Sequence, residues 1–458
     1  MRKPGLIWSV AFCAVAATLS ANEFPLTFKA LTVDEAFALP GGSGAIGSLR
    51  AGKPPSVRNE PKSVSKHALY GELLRSQSER GFMFRLDESA GDGKGYDKLV
   101  LDLNQNGDLT DDPVFTRADK PRVTKTGAET REVCRFGPIE APAANAIGNS
   151  RPVYFAELNY YRRQTDPGLR GYLGYLRLRA GSYFETMVEL DGVRRKVGVV
   201  DGNANLRLGD EPKAVTYKGA SEENWYFTPA DSFLVDADGS GQFDNRPGNP
   251  ESSPFGSLLY LGTTPYRVTL AAKATALRIE PWTAPLAELD VRPSGTQVRE
   301  VQVAWERKSG DWALVKAGVA EGRARVPAGK LRLIGCVLEG KSKDGQLLAV
   351  AGSYRKLDNT LDARAGKSTT LKCGAPLEMR LTTARGTASA TGLMDQADST
   401  GSSASPIVQI RAEIIGVAGE TYATFARGKD LSGEPPKPRF AIHTKDGKQV
   451  ASGNLEFG

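Results

Sequence analysis

Apolar and polar residues alternate with a period of two along much of the chain, and this pattern predicts strands. Val301, Val303 and Trp305, then Leu331 and Leu333, then Leu377, Met379 and Leu381 fall on one face of extended segments. So do Val408, Ile410, Ala412 and Ile414, with Gln409, Arg411 and Glu413 between them. The stretches from Tyr172 to Arg179 and from Tyr266 to Leu270 add further alternating strands. Elsewhere the apolar runs are shorter and close on an aspartate: KLVLD on Asp102, KVGVVD on Asp201 and SFLVD on Asp236. Each leads into a turn rich in Asp, Asn and Gly, a weak internal repeat without the fixed period of a solenoid. Strands spaced about ten residues apart predict a mainly β, multi-domain chain of antiparallel β-sandwich modules with long loops.

Local composition divides the chain. Residues 1–21 run from Arg2 and Lys3 through an apolar stretch to Ser20 and Ala21, the order expected of a signal peptide. That stretch is too short to span a bilayer comfortably, so a secreted protein is expected, with periplasmic, cell-surface or extracellular placement open. Residues 22–62, rich in Pro, Gly and Ser, read as a flexible N-terminal segment. Within it, Gly42, Gly44 and Gly47 spell a dinucleotide fingerprint, but no buried strand leads in and no helix leads out. A β-rich region with Asx/Gly loops is expected over 63–286, a β-sandwich over 287–384 and a linker over 385–406. Residues 407–458 read as a small β module or as strands completing the preceding sheet, with Asp446-Gly447 as a hairpin turn. The run VPAGKLRL, from Val326 to Leu333, resembles the turn and strand of carboxypeptidase-regulatory and transthyretin-like domains. That resemblance implies an Ig- or transthyretin-like sandwich for the 287–384 region.

An apolar content of 40% over 458 residues can supply several cores. The 60 basic and 53 acidic residues leave +7, spread along the chain without long blocks of one sign, which argues against a nucleic-acid partner. No segment after the leader approaches the ~20 apolar residues of a membrane helix. Of four cysteines, Cys13 falls in the leader, leaving Cys134, Cys336 and Cys373. Export permits a disulfide, and Cys336 with Cys373, each beside a strand-like run, is the expected pair.

The strand-ending turns carry the best chemical signal. A calcium ion takes six to eight oxygens, and alternate positions of a tight loop point their side chains inward. The first loop offers Asp102, Asn104, Asn106 and Asp108, followed by Asp111 and Asp112, with Gly107 at position six. Another offers Asp236, Asp238, Ser240 and Asp244, with Gly241 at position six. The remaining one has Asp201, Asn203, Asn205 and Asp210 but lacks the glycine, and is the weakest. These loops resemble those of EF-hand and dockerin-type repeats, which implies a structural calcium cofactor. They depart from that pattern at position 12, where Pro113, Pro247 and Pro212 stand in place of a bidentate Glu. The plainer alternative is that Asp, Asn and Gly only form turns.

Signatures of catalysis are thin. His67 and His443, the two histidines, lie far apart and read as surface residues, and no Gly-x-Ser-x-Gly elbow is present. Trp225, Tyr226 and Phe227, with Tyr160 and Tyr161, could stack on sugars but more often fill a core. The expectation is a secreted, non-catalytic, calcium-stabilised binding or structural module with an extracellular or envelope ligand, carbohydrate or protein. The alternatives are a carbohydrate-active hydrolase with paired carboxylates, which needs a cleft with two facing acids, and a surface-assembly subunit, which needs an open sheet edge.

Overall fold

The computed structural model describes residues 22–458 except 43, 75–80, 127–128, 164–173, 191, 219–222, 247–248, 257, 292–295, 309, 355–359, 388–405, 429–438 and 455–458. The expected leader and most of the expected linker therefore lie outside the described residues. Strands dominate, as the alternation predicts, and the sheets are antiparallel apart from Leu286–Asp290, which runs parallel to Ser368–Thr370.

Two five-stranded sheets are built from strands between Thr27 and Pro254. In one the order is Ala45–Ser48, Gly174–Ala180, Val153–Arg163, Glu129–Glu140, Arg122–Thr126. In the other it is Ser252–Pro254, Ser232–Val235, Val193–Val200, Ser182–Leu190, Thr27–Ala30. Gly174–Ala180 alternates buried and half-buried positions throughout, so Leu176 and Leu178 enter the main core beside Phe136, Tyr154 and Leu158. A four-stranded sheet of Leu69–Leu73, Phe82–Asp87, Lys98–Leu101 and Val114–Thr116 adds Phe84 and Leu86 to that core. Phe82–Asp87 is buried at every position, which explains why it lacks alternation in the sequence. A separate core joins Val197, Val199 and Phe233 to Leu277 and Ile279 of the sheet Asn22–Pro25, Ala276–Pro281, Thr264–Leu270, Leu258–Leu261.

The sandwich expected near residue 287 has a small sheet of Arg323–Pro327, Leu286–Asp290 and Ser368–Thr370. It shares a core with a large sheet ordered Asp311–Gly318, Gln297–Lys308, Gly329–Lys341, Leu347–Ser353, Thr421–Arg427, Pro406–Ile415, Glu378–Thr387. Two strands of the 407–458 region thus complete this sheet instead of forming a module of their own. Arg439–His443 and Gln449–Asn454 pair as a separate hairpin whose turn holds Asp446 and Gly447, the latter at φ +87°.

Residues 22–62 depart from the expected flexible segment. Asn22–Pro25, Thr27–Ala30 and Ala45–Ser48 each pair into a different sheet, and Val33–Ala38 is a helix closed by a capping box between Thr32 and Glu35. Phe24 and Leu26 pack against one core, and Leu39, Ala45 and Leu49 belong to another. The prolines and glycines of this stretch mark turns between short strands whose partners lie far away in sequence, so local composition misreads them. Gly44 sits at φ +71°, and its amide donates to the Gly202 carbonyl at 2.9 Å. The glycine-rich stretch thus lies against the Asp201 loop. Among the described residues no helix is long and apolar enough to cross a membrane.

Candidate metal centre

Each strand-ending aspartate begins a loop of the same construction. Positions four and six take positive φ in all three: Gln105 (+59°) and Gly107 (+77°), Ala204 (+52°) and Leu206 (+68°), Gly239 (+75°) and Gly241 (+82°). The first carboxylate spans the amides of positions five and six. Asp102 accepts from Asn106 (3.0 Å) and Gly107 (2.9 Å), Asp201 from Asn205 (3.2 Å) and Leu206 (2.8 Å), and Asp236 from Ser240 (2.9 Å) and Gly241 (2.8 Å). Position three accepts from the amide of position five in every loop, through Asn104, Asn203 and Asp238. Position five accepts from the amide of position seven, through Asn106, Asn205 and Ser240. The loop lacking glycine keeps this backbone by holding Leu206 in the left-handed region, which costs about 1–2 kcal/mol for a residue with a Cβ.

Strand register closes the loops with carboxylates that local spacing does not reveal. Val235 lies opposite Glu251, its amide bonded to the Glu251 carbonyl at 3.0 Å, so the Glu251 side chain reaches the Asp236 loop. There its carboxylate accepts from the amides of Ala237 (2.7 Å), Asp238 (3.3 Å) and Asp244 (3.0 Å) while remaining 8% exposed. One carboxylate oxygen from each of Asp236, Asp238 and Glu251 lies within 4.8 Å of the other two. The backbone amide of Asp244, the acid expected to close this loop, thus donates to Glu251. At the other end of the same ladder Val200 pairs with Ser232, which brings Asp231 beside Asp201. The Asp231 carboxylate accepts from the amides of Gly209 and Asp210 (2.9 Å). Asp210 is held by the side chain of Asn205. In the first loop Asp111 binds the side-chain amides of Asn104 (3.2 Å) and Asn106 (2.8 Å), and Asp112 takes the Leu103 amide (3.3 Å). Asp108 turns outward to Asn59 (2.6 Å) and to Thr110.

The electrostatics separate two of these loops from ordinary structural carboxylates. Glu88, fully buried in the neighbouring loop, also desolvates a charge, but the Ser65 hydroxyl and the amides of Gly93, Gly91 and Asp92 outweigh that and hold it below its usual range. Asp112 is instead pushed up to about 7, first by burial and then by the charges of Asp102, Asp111 and Asp108. Asp201 rises to about 6 by burial, against the hydrogen bond from Tyr154 (2.7 Å) and two amides. Asp231, 1% exposed, is driven well above the carboxylate range by burial and by the Asp201 charge. One oxygen of Asp112 and one of Asp231 are buried without a hydrogen-bond partner. Clustered acids whose ionised forms lack compensation suit a hard cation held by oxygen alone.

The sign of the pH effect follows. Aspartates with folded values raised above about 4 stabilise the fold fully below that value and lose the contribution as pH rises through about 6 and 7. A cation acts in the opposite direction, by favouring the ionised form. Calcium should therefore raise the melting temperature more at pH 8 than at pH 5, as scanning calorimetry with and without chelator would measure. An equal increment at both pH values would disconnect these aspartates from the ion.

The other residues singled out by sequence lie elsewhere. Tyr160 packs edge-on against Tyr96 at 5.3 Å beside the main core. Tyr226 is 38% exposed, and the side chain of Trp225 lies outside the described residues. Next to the Asp236 loop, Glu251 and Ala237 also line a cleft of about 410 Å³ whose walls carry Arg195, Arg299, Glu300 and Lys316. Compared with protein-family models, curated proteins and solved structures, the chain has no match.

Proposed function

We propose that this is an exported, non-catalytic β protein, stabilised by calcium in its Asx-rich loops, that acts as a binding or structural module at or outside the cell envelope. The observation that carries the ion reading is the Asp236, Asp238 and Glu251 cluster, set on a loop whose backbone recurs twice more. One repeated hydrogen-bond scheme with three different side-chain sets, each ending in clustered acids, favours a shared ligand over three unrelated turns. Bound calcium neutralises carboxylates that otherwise repel across each loop. The adjoining cleft supports the binding part of the reading, because an oxygen-bearing group entering it would approach the ion at Glu251.

Sites of this kind in extracellular modules have dissociation constants on the order of 0.1–1 mM. The test is the melting temperature in chelator, then in millimolar calcium or magnesium. A rise of several degrees with calcium alone is expected, since magnesium demands a smaller octahedral shell. Identical melting in all three would sink the ion reading. Asp238→Ala, at an exposed position whose Ser240 donor is also held by Asp236, should lower stability in chelator by about 1 kcal/mol yet remove much of the calcium increment.

A further inference from the structure

We propose that Cys336 and Cys373 are an oxidisable pair that closes a disulfide across the two sheets of the C-terminal sandwich. Cys336 lies in Gly329–Lys341 of the large sheet, and Cys373 follows Ser368–Thr370 of the small one. Both are free thiols here, each 2% exposed, and both belong to the core the two sheets share.

Polar groups fix the Cys373 segment against Cys336. The Gly374 amide donates to Glu420 Oε1 at 2.5 Å, and the Tyr422 hydroxyl donates to the same oxygen at 2.9 Å. That hydroxyl is also 3.4 Å from the Cys336 sulfur. On the other side of Cys373, the Tyr354 hydroxyl donates to the Lys372 carbonyl at 3.4 Å. With its flanking backbone tied on both sides, Cys373 is held in the core it shares with Cys336, next to the Glu420 and Tyr422 side chains that border the Cys336 sulfur. Glu420, wholly buried, is the hub of this arrangement. The neighbouring Cys373 thiol holds the Cys336 thiol below its usual range, whereas Cys373 is pushed above it, first by Cys336 and then by burial. We take Cys336 as the attacking thiolate and Cys373 as the resolving thiol.

The oxidant is a small or protein-borne disulfide. The Cys336 thiolate attacks one of its sulfurs, the oxidant's S–S bond breaks, and the first leaving thiolate takes up the proton lost by Cys336. Cys373 then gives up its proton and attacks the Cys336 sulfur of the mixed disulfide. The second oxidant thiol leaves with that proton, so two protein thiols are oxidised while one disulfide is reduced to two thiols. Burial of both sulfurs places this exchange in folding, before the sandwich closes, or in an opening of the 371–374 segment. Cys134 takes no part: it is buried in another core, its thiol hydrogen-bonded to Glu132 at 3.4 Å and pushed up to about 12, chiefly by burial.

To test this, the full chain is refolded in a reduced and oxidised glutathione buffer, alkylated under denaturing conditions, digested and mapped by mass spectrometry. The expected result is one cross-linked peptide pair joining Cys336 to Cys373, with Cys134 alkylated. The oxidised protein should also melt several degrees above the reduced one, and reductant should reverse the difference. Cys134→Ser should keep the cross-link, and Cys373→Ser should leave glutathione on Cys336. The wild-type map decides even if the latter variant does not fold. Recovery of Cys336 and Cys373 both alkylated, or pairing of either with Cys134, would overturn the proposal.

Discussion

Replacing Glu251 by Ala should destabilise the protein by about 3 kcal/mol or more, and should do so in chelator as well as in calcium. Its buried carboxylate serves the amides of Ala237, Asp238 and Asp244, and each donor left unsatisfied costs about 1–3 kcal/mol. Glu251→Gln separates the two roles of this side chain. The amide keeps one carbonyl oxygen for the backbone and removes a negative charge from beside Asp236 and Asp238, so the loss in chelator should be much smaller. The calcium increment should still shrink, because a charged ligand is gone. Chemical denaturation of both variants with and without calcium provides the comparison. If the Gln variant responds to calcium like the wild type, Glu251 is a structural acceptor and no ligand.

The second large effect is expected at Gly44, where Ala should cost about 3 kcal/mol. A Cβ there would stand 1.7 Å from the Leu178 carbonyl oxygen, a backbone atom in the middle of a sheet that cannot give way cheaply. The positive φ adds about 1–2 kcal/mol for any L-residue with a side chain. Because the Gly44 amide bonds Gly202, the damage should reach the Asp201 loop, and calcium should rescue part of it. A urea midpoint equal to that of the wild type would mean that the glycine-rich stretch does not rest on this strand.

What could be read in advance was what lies close together along the chain. The three strand-ending loops were legible because positions one, three and five supply their oxygens within five consecutive residues. The sandwich was legible because Val301, Val303, Leu331 and Leu333 alternate on half-buried strands. Glu251 and Asp231 were not, since only the pairing of Ser232–Val235 with its two neighbours brings them to a loop. The same limit made residues 22–62 look flexible: their turn residues are visible locally, whereas the strands they pair with lie over a hundred residues away. Leu206 marks another limit of local reading. The missing glycine made the Asp201 loop look weakest, yet tertiary packing holds Leu206, 3% exposed, in the conformation a glycine would have adopted freely.

The pairing of Asn22–Pro25 with Ala276–Pro281 also governs the order in which the molecule can assemble. A ribosome adding about 5–20 residues per second needs on the order of ten seconds or more to deliver the second strand after the first. Throughout that interval the early strand has backbone donors and acceptors without their native partner, and Thr27–Ala30 and Ala45–Ser48 wait similarly for Ser182–Leu190 and Gly174–Ala180. Closing such long loops precedes any gain from the contacts they make, so folding should be slow, and the beginning of the chain should be among the last parts to become protected from hydrogen exchange.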